Sequence, residues 1–348
     1  MKRIVVLAEG AFGPHSSKTA VGLIRFGRFP VVAVIDSTKA GHTADEFIGE
    51  IGKGIPTVSD VDEAIRYNPT SLVIGISPVG GQLPDEWRKI IRRAIELGMD
   101  IESGLHQFLS EDPEFSKLAE KHGIKLIDYR KVPEKYNRIP DFKDFESFVV
   151  LVTGTDSNVG KMTTAVALER AAVRRGLKAV MAPTGQTGIM LEGWGVAIDH
   201  VLSDFVAGAV ELLIREAERD MGAEIVFVEG QGSLYQPAYS GVALGLMHGS
   251  RPDAIVLVHN PNRKRIRHFP QVEIPPIEDV VRHHELVASF VKPSKVVAIA
   301  LDTSELDEPA AIQKIREVQE KTGLPATDPI RFGADKLIDA VLEFRSKF

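Results

Sequence analysis

The chain has 348 residues, of which 44% are hydrophobic and 26% charged, with a formal net charge of −6. That length makes two domains the natural expectation, and the acidic balance argues against nucleic acid as the main partner, since such proteins usually carry a basic excess. The absence of cysteine removes disulfides, thiolate nucleophiles and thiolate zinc sites together.

At the N-terminus an apolar run of five residues is cut by Glu9. It is too short for a signal-peptide core or a membrane span and reads as a first strand. Cytoplasmic residence and no membrane partner are the resulting expectations. Residues 3–8, 31–36 and 71–77 are Val- and Ile-rich strands of the buried, parallel kind. Helical stretches lie between them at 17–27, 43–50 and 59–67, the last entered through Ser59 and Asp60 as caps. Further helices are predicted over 84–97 and 113–122, then a strand over 124–129. A polar stretch with two prolines, 130–147, interrupts the alternation and reads as the linker.

The alternation restarts with strand 148–153, helix 160–175, strand 178–182, helix 198–219, and strands 224–229 and 254–258. Helix 278–290, strand 295–300 and helices 308–321 and 334–346 complete the chain. The expected fold class is therefore α/β with two doubly wound domains, residues 1–140 Rossmann-like and 141–348 P-loop NTPase-like.

In the first domain Gly10 and Gly13 do not form G-x-G-x-x-G, so the dinucleotide fingerprint is absent. Asp36 ends the second strand, where a ribose-binding acid would lie. Lys18 and His15, near a helix start, are placed to receive an anion, and 76–84 is expected to be a ligand-facing loop.

In the second domain a buried strand runs into "GTDSNVGKMTT" (154–164), and a helix follows. Gly154 and Gly160 permit a backbone that turns successive N–H groups inward, Lys161 adds a point charge, and the helix contributes its dipole. The cofactor-binding set read from this loop is Gly154, Thr155, Asp156, Ser157, Asn158, Val159, Gly160, Lys161, Met162 and Thr163. The spacing is one residue longer than G-x-x-x-x-G-K-[ST], and Met162 stands where a magnesium-binding hydroxyl belongs. A thioether is a poor ligand for a hard cation. Phosphate binding survives that change better than metal-dependent phosphate cleavage does.

Farther along, Glu229 ends a buried strand just before Gly230, Gln231 and Gly232, at the strand edge where α/β ligands bind. Gln186 and Thr187 belong to a polar loop after another strand, and Asp199 and Asp204 open the next predicted helix. His259 ends a strand and precedes Arg263, Lys264, Arg265 and Arg267. A histidine such as His248 or His259 can act as a general base near neutrality.

The 154–163 loop resembles that of dethiobiotin synthetase and related ATPases, as does "EGQGS" at 229–233. Together with 183–211, 228–259 and 18–36, these stretches resemble the D-glutamate N-acetyltransferase family, long catalogued as a domain of unknown function. That family pairs a Rossmann-like N-terminal domain with a P-loop C-terminal domain. The resemblance implies transfer of an acetyl group from acetyl-CoA to the amine of a D-amino acid. Acetyl-CoA would then be the cosubstrate, its phosphates held by the loop without a metal. Glu229, His248 or Asp199 would be the base that deprotonates the amine. The turn at 230–232 would supply oxyanion donors. Gln186, Thr187, Gln231 and Arg251, Arg263 or Arg265 would hold the acceptor.

A second reading is an ATP- and Mg-dependent ligase or kinase of the dethiobiotin synthetase type, with Thr163, Asp156 and Glu229 holding Mg²⁺. A third is a nucleotide- or CoA-sensing regulator. A small-molecule substrate is expected in the enzymatic readings, and a homo-oligomer is left open.

Overall fold

The computed structural model describes residues 2–347 apart from His15 and Ser77. The expectation for His15, and that part of the 76–84 loop, therefore lies outside the described residues. The chain divides into two compact units, residues 1–132 with 189–194, and residues 133–188 with 195–348.

The first unit runs β1 (Ile4–Leu7), α1 (Lys18–Phe26), β2 (Val31–Ile35), α2 (Asp45–Ile48), β3 (Thr57–Val58), α3 (Val61–Ala64) and β4 (Ser71–Ile74), then α4 (Asp85–Glu96), β5 (Asp100–Ser103), α5 (Pro113–His122) and β6 (Leu126–Asp128). Its strands are all parallel, in the order β3-β2-β1-β4-β5-β6. This is the doubly wound Rossmann order, with the connection reversing direction beside β1. Val5, Leu7, Ile35, Leu72 and Ile74 meet Trp87, Ile91, Ile95 and Phe115 in one apolar core.

β3 and β5 were not predicted. β5 reads Asp-Ile-Glu-Ser, a polar strand whose Glu102 is buried by partners far away in sequence. Those partners are Lys2, Ser71 and Tyr129, with the tyrosine hydroxyl donating at 2.5 Å.

The second unit begins with β7 (Phe148–Gly154), buried along its whole length as a central parallel strand should be. There follow α6 (Lys161–Arg174), β8 (Ala179–Ala182), α7 (Gln186–Glu192, counted with the first unit from residue 189 on), α8 (Val206–Met221), β9 (Ile225–Glu229), α9 (Ser240–Ser250) and β10 (Ala254–His259). A two-stranded ribbon, β11 (Arg265–Ile266) and β12 (Phe269–Glu273), precedes α10 (Ile277–Ser289), β13 (Lys295–Leu301), α11 (Glu308–Thr322), β14 (Ala326–Thr327) and α12 (Asp335–Arg345). The six-stranded parallel sheet has the order β14-β13-β10-β7-β9-β8. β7 is central, and the ends of β9 and β10 flank the loop that follows it.

The division at 132/133 lies before the expected boundary at 140, because the linker packs on α8. Three glutamates on that helix hold it. Glu216 accepts from Lys135 (2.6 Å) and the Tyr136 hydroxyl (2.7 Å), Glu211 from the amides of Asp141 and Phe142, and Glu218 from those of Glu146 and Ser147.

The helix expected from 198 starts at Val206. Asp199 and Asp204 instead sit in two short 3-10 turns, Ile198–His200 and Ser203–Phe205. α9 was missed because Gly241, Gly245 and Gly249 make it a poor helix former. Two of these glycines are packing requirements: a Cβ at Gly249 would lie 2.4 Å from the Ala207 carbonyl, and one at Gly245 would lie 2.7 Å from Val206. Among the described residues no helix is long and apolar enough to cross a membrane.

Candidate functional site

Parallel pairing sets the site. Gly154 is in register with Val258 and Val152 with Glu229, so the ends of β9, β7 and β10 lie side by side. Three segments rise from this edge: the 155–160 loop, the 230–239 loop and the ribbon arm from 260.

The 155–160 loop has the backbone of an anion cradle. Asn158 (φ 53°) and Gly160 (φ 99°) are left-handed, and Gly160 passes the chain into α6 without a side-chain cap. The amides of Asn158, Val159, Gly160, Met162 and Thr163 have no acceptor among the described residues. Unpaired N–H groups at a glycine turn and a helix start favour a bound anion. Lys161 is 7% exposed, and its ammonium donates to the Asp156 carbonyl (2.7 Å) across the loop. Gly154 has no room for a side chain, since a Cβ would come within 2.9 Å of both Val159 and the Val258 carbonyl.

Asp156 is completely buried, and its carboxylate is engaged on both oxygens. Oδ1 accepts from the Ser157 amide (2.6 Å); Oδ2 accepts from the Arg267 amide (2.7 Å) and from Arg263 (3.1 Å). The magnesium role weighed for Asp156 would have to displace these donors. Met162 and Thr163 are both half-buried in the first turn of α6. Beside the loop, Thr155 meets His259 Nδ1 at 3.1 Å. Burial, reinforced by the Arg263 charge, pushes His259 down to about 4. The imidazole is thus neutral at neutral pH and a weaker base than the sequence suggested.

Glu229 is 5% exposed at the end of β9. Its Oε2 accepts from the amides of Thr184 (3.1 Å) and Gly185 (3.2 Å), just after β8. Thr184 is completely buried; its hydroxyl donates to the Glu229 carbonyl and accepts from Gln231 (3.1 Å). Gly188 is required here, because a Cβ would come within 2.5 Å of Glu229 Oε2. Gln186 and Thr187 are both buried, in the first turn of α7 rather than in a loop. Thr184, a positioning residue for Glu229, escaped the sequence reading although it lies in the 183–211 stretch singled out there. Its only signal was its place just past the proline that follows β8.

Asp199 is exposed, but its neighbour Ile198 donates to the Thr184 carbonyl (2.9 Å), which puts this turn beside the Glu229 anchor. The Gly230 amide is spent on the Val152 carbonyl (2.9 Å), so of the 230–232 turn only Gln231 and Gly232 retain amides for an oxyanion. The 230–239 loop is tied to the ribbon through Gln236, whose Nε2 donates to the Arg267 carbonyl (3.1 Å).

Four expectations are corrected. His248 lies in the last turn of α9, at 3.2 Å from the Val287 carbonyl of α10. Arg251 caps the same helix, 5% exposed, donating to Glu211 (2.9 Å) and the Lys143 carbonyl (2.7 Å) and stacking on Phe142 and Phe145. Both stand at the opposite edge of the sheet, where Asp253 bonds to Val149 at the start of β7. From Val149 to Gly154 a strand rises about 16 Å, so neither residue reaches the loop. Arg263, read as an acceptor ligand, braces the loop itself, donating also to the carbonyls of Ser157 (2.7 Å) and Asn158 (3.4 Å). Arg265 pairs with Glu273 (2.8 Å) on the ribbon.

Comparison with known proteins agrees with this architecture. Residues 37–132 match the family model described as "Domain of unknown function (DUF1611_N) Rossmann-like domain", and residues 140–338 match "Domain of unknown function (DUF1611_C) P-loop domain". A protein of Tritonibacter scottomollicae named D-glutamate N-acetyltransferase is 39% identical over 286 residues, covering 82% of this chain and 85% of that protein. One of the same name from Pseudoalteromonas sp is 36% identical over 306 residues, covering 86% and 91%. A crystal structure of a DUF1611 family protein from Anabaena variabilis, 39% identical, superposes with a TM-score of 0.91 over 99% of this chain and 100% of that one.

Proposed function

Since the chain belongs to the DUF1611 family of paired Rossmann-like and P-loop domains, we propose that it is an N-acetyltransferase that uses acetyl-CoA and accepts the amine of D-glutamate or a close D-amino acid. The observation that carries the reading is the placement of the buried Glu229 carboxylate beside a phosphate loop whose own acid, Asp156, is already neutralised by Arg263. The names of two relatives supply the reaction class.

Coenzyme A carries a diphosphate, which the amides of 158–163 and Lys161 suit without a metal. No phosphoryl bond needs to break, so a hydroxyl at position 162 is not required. In the reaction the acceptor amine adds to the thioester carbonyl carbon and Glu229 takes its proton. The tetrahedral oxyanion is met by the Gln231 and Gly232 amides. The carbon–sulfur bond then breaks, and the coenzyme A thiolate leaves and takes up a proton. Two amide donors on Glu229 Oε2 hold the carboxylate in one orientation.

The test is release of free coenzyme A thiol from acetyl-CoA with D-glutamate, with L-glutamate, and with neither. D-glutamate-dependent release that falls about 100-fold or more in Glu229→Gln is the expected result. Magnesium-dependent ADP release from ATP, with no thiol release, would overturn the proposal in favour of a ligase or kinase.

A further inference from the structure

Among the described residues the Arg263 guanidinium donates only to the phosphate loop: Nη1 to Asp156 Oδ2 (3.1 Å) and to the Ser157 carbonyl (2.7 Å), Nη2 to the Asn158 carbonyl (3.4 Å). A trans peptide points its N–H away from its C=O, and the described chain has no cis bonds. A group that holds the carbonyls of residues 157 and 158 from one side therefore turns the N–H groups of Asn158 and Val159 to the other. That is the side on which an anion cradle presents its donors. The left-handed backbone at Asn158 makes this orientation possible, but a polar loop of this kind has other conformations to choose from.

We propose that Arg263 is a positioning residue: without touching the ligand, it clamps the phosphate loop from its carbonyl face and aims the Asn158 and Val159 amides at the diphosphate of coenzyme A. The ligand's identity rests on the acetyl-CoA reading; the clamp does not. The arm bearing Arg263 is itself anchored. The Arg263 amide donates to the Asn260 carbonyl (3.1 Å), the Asn262 amide to Asn260 Oδ1 (3.0 Å) and the Arg267 amide to Asp156, while Ile266 is 2% exposed. A planar fork suits this task, because one guanidinium reaches a carboxylate and two carbonyls; a lysine is a single point charge.

The competing explanation is that Arg263 only balances the buried Asp156 charge. Removing that charge separates the two. Asp156→Asn, Arg263→Lys, Arg263→Met and the double variant Asp156→Asn/Arg263→Met are titrated calorimetrically with coenzyme A and, separately, with inorganic pyrophosphate. Melting temperature and the kinetics with acetyl-CoA are measured alongside. Clamping predicts that the double variant binds both ligands about 10- to 100-fold more weakly than Asp156→Asn alone, although the two melt within a few degrees of each other. Arg263→Lys should recover only part of the loss. KM for acetyl-CoA should rise far more than kcat at saturation falls. A double variant that binds as tightly as Asp156→Asn would overturn the proposal and leave Arg263 as a counter-ion. Wild-type protein that binds pyrophosphate but not coenzyme A would sink the cosubstrate reading, and the pyrophosphate series would still decide the clamp.

Discussion

The molecule contains two strand–loop–helix turns of similar design, one after β1 and one after β7, and they dispose of their backbone donors in opposite ways. After β1, the amides of Gly10 (3.2 Å) and Phe12 (2.9 Å) both point at Asp36, the residue that follows β2. Asp36 is completely buried and also accepts from the Thr38 amide and hydroxyl and from Lys39. The loop is closed around the protein's own carboxylate, and a ribose-binding role for Asp36 would require giving up these bonds. After β7 the acid lies inside the loop and is drawn to the carbonyl side by Arg263, and the amides of Asn158, Val159, Gly160, Met162 and Thr163 have no acceptor among the described residues. The comparison teaches that, in a turn of this design, the position of one carboxylate decides whether the loop amides are taken up inside the protein or left facing outward.

Breaking the internal anion should have the largest effect on stability. Asp36→Ala leaves several buried donors and a lysine without their acceptor, at an expected cost of about 3–5 kcal/mol of unfolding free energy. Chemical denaturation measures this, while coenzyme A affinity should stay within about threefold of wild type because the second loop is intact.

Acid should also separate the two regions. At Asp36 burial opposes ionisation, yet the bonds from Thr38, Phe12 and Lys39 outweigh it and hold the group below the ordinary carboxylate value of 3.8. Its contribution is present above that value and is lost only as pH falls further. In the second unit His284, completely buried on α10, is pushed down to about 4, and so is His259. Unfolded histidine binds a proton near 6.5, so stability tied to these groups is present above 6.5 and is lost as pH falls toward 4. For His284 the loss is roughly 3 kcal/mol. Hydrogen exchange at stepped pH should show the second unit opening before the first. His284→Asn, which keeps a donor for the Val280 carbonyl, should flatten that decline even if it lowers stability at pH 8. Equal acid sensitivity in the two units would contradict this account.

Lys161→Ala should weaken coenzyme A binding by about 10- to 100-fold, the loss of a charge-assisted contact to phosphate, with unfolding free energy changed by less than about 1 kcal/mol. The smallest effect is expected for Met162→Thr. Restoring a hydroxyl should change coenzyme A affinity by less than about threefold and produce no magnesium-dependent ATP turnover, because Asp156 stays engaged by Arg263 and two amides. Appearance of that turnover would mean that position 162 alone separates this loop from an ATPase.

The sequence by itself determined the fold class, the central strands and the phosphate loop. β7 and α6 are legible because a fully buried parallel strand and an amphipathic helix impose periods that local composition must obey. The place of Glu229 at the end of β9 was legible for the same reason, a buried apolar run that stops at a carboxylate. What was not legible depended on partners remote in the chain. Strand β5 owes its burial to Lys2, Ser71 and Tyr129, and helix α9 accepts its glycines because α8 lies against them. Arginines at 251 and 263 look alike in sequence, yet one ends a helix at the far edge of the sheet and the other grips the loop. Only the tertiary structure decided between them. A guanidinium has no local conformational preference that reveals its target, and the acids Glu211 and Asp156 that capture the two arginines lie 40 and 107 residues away.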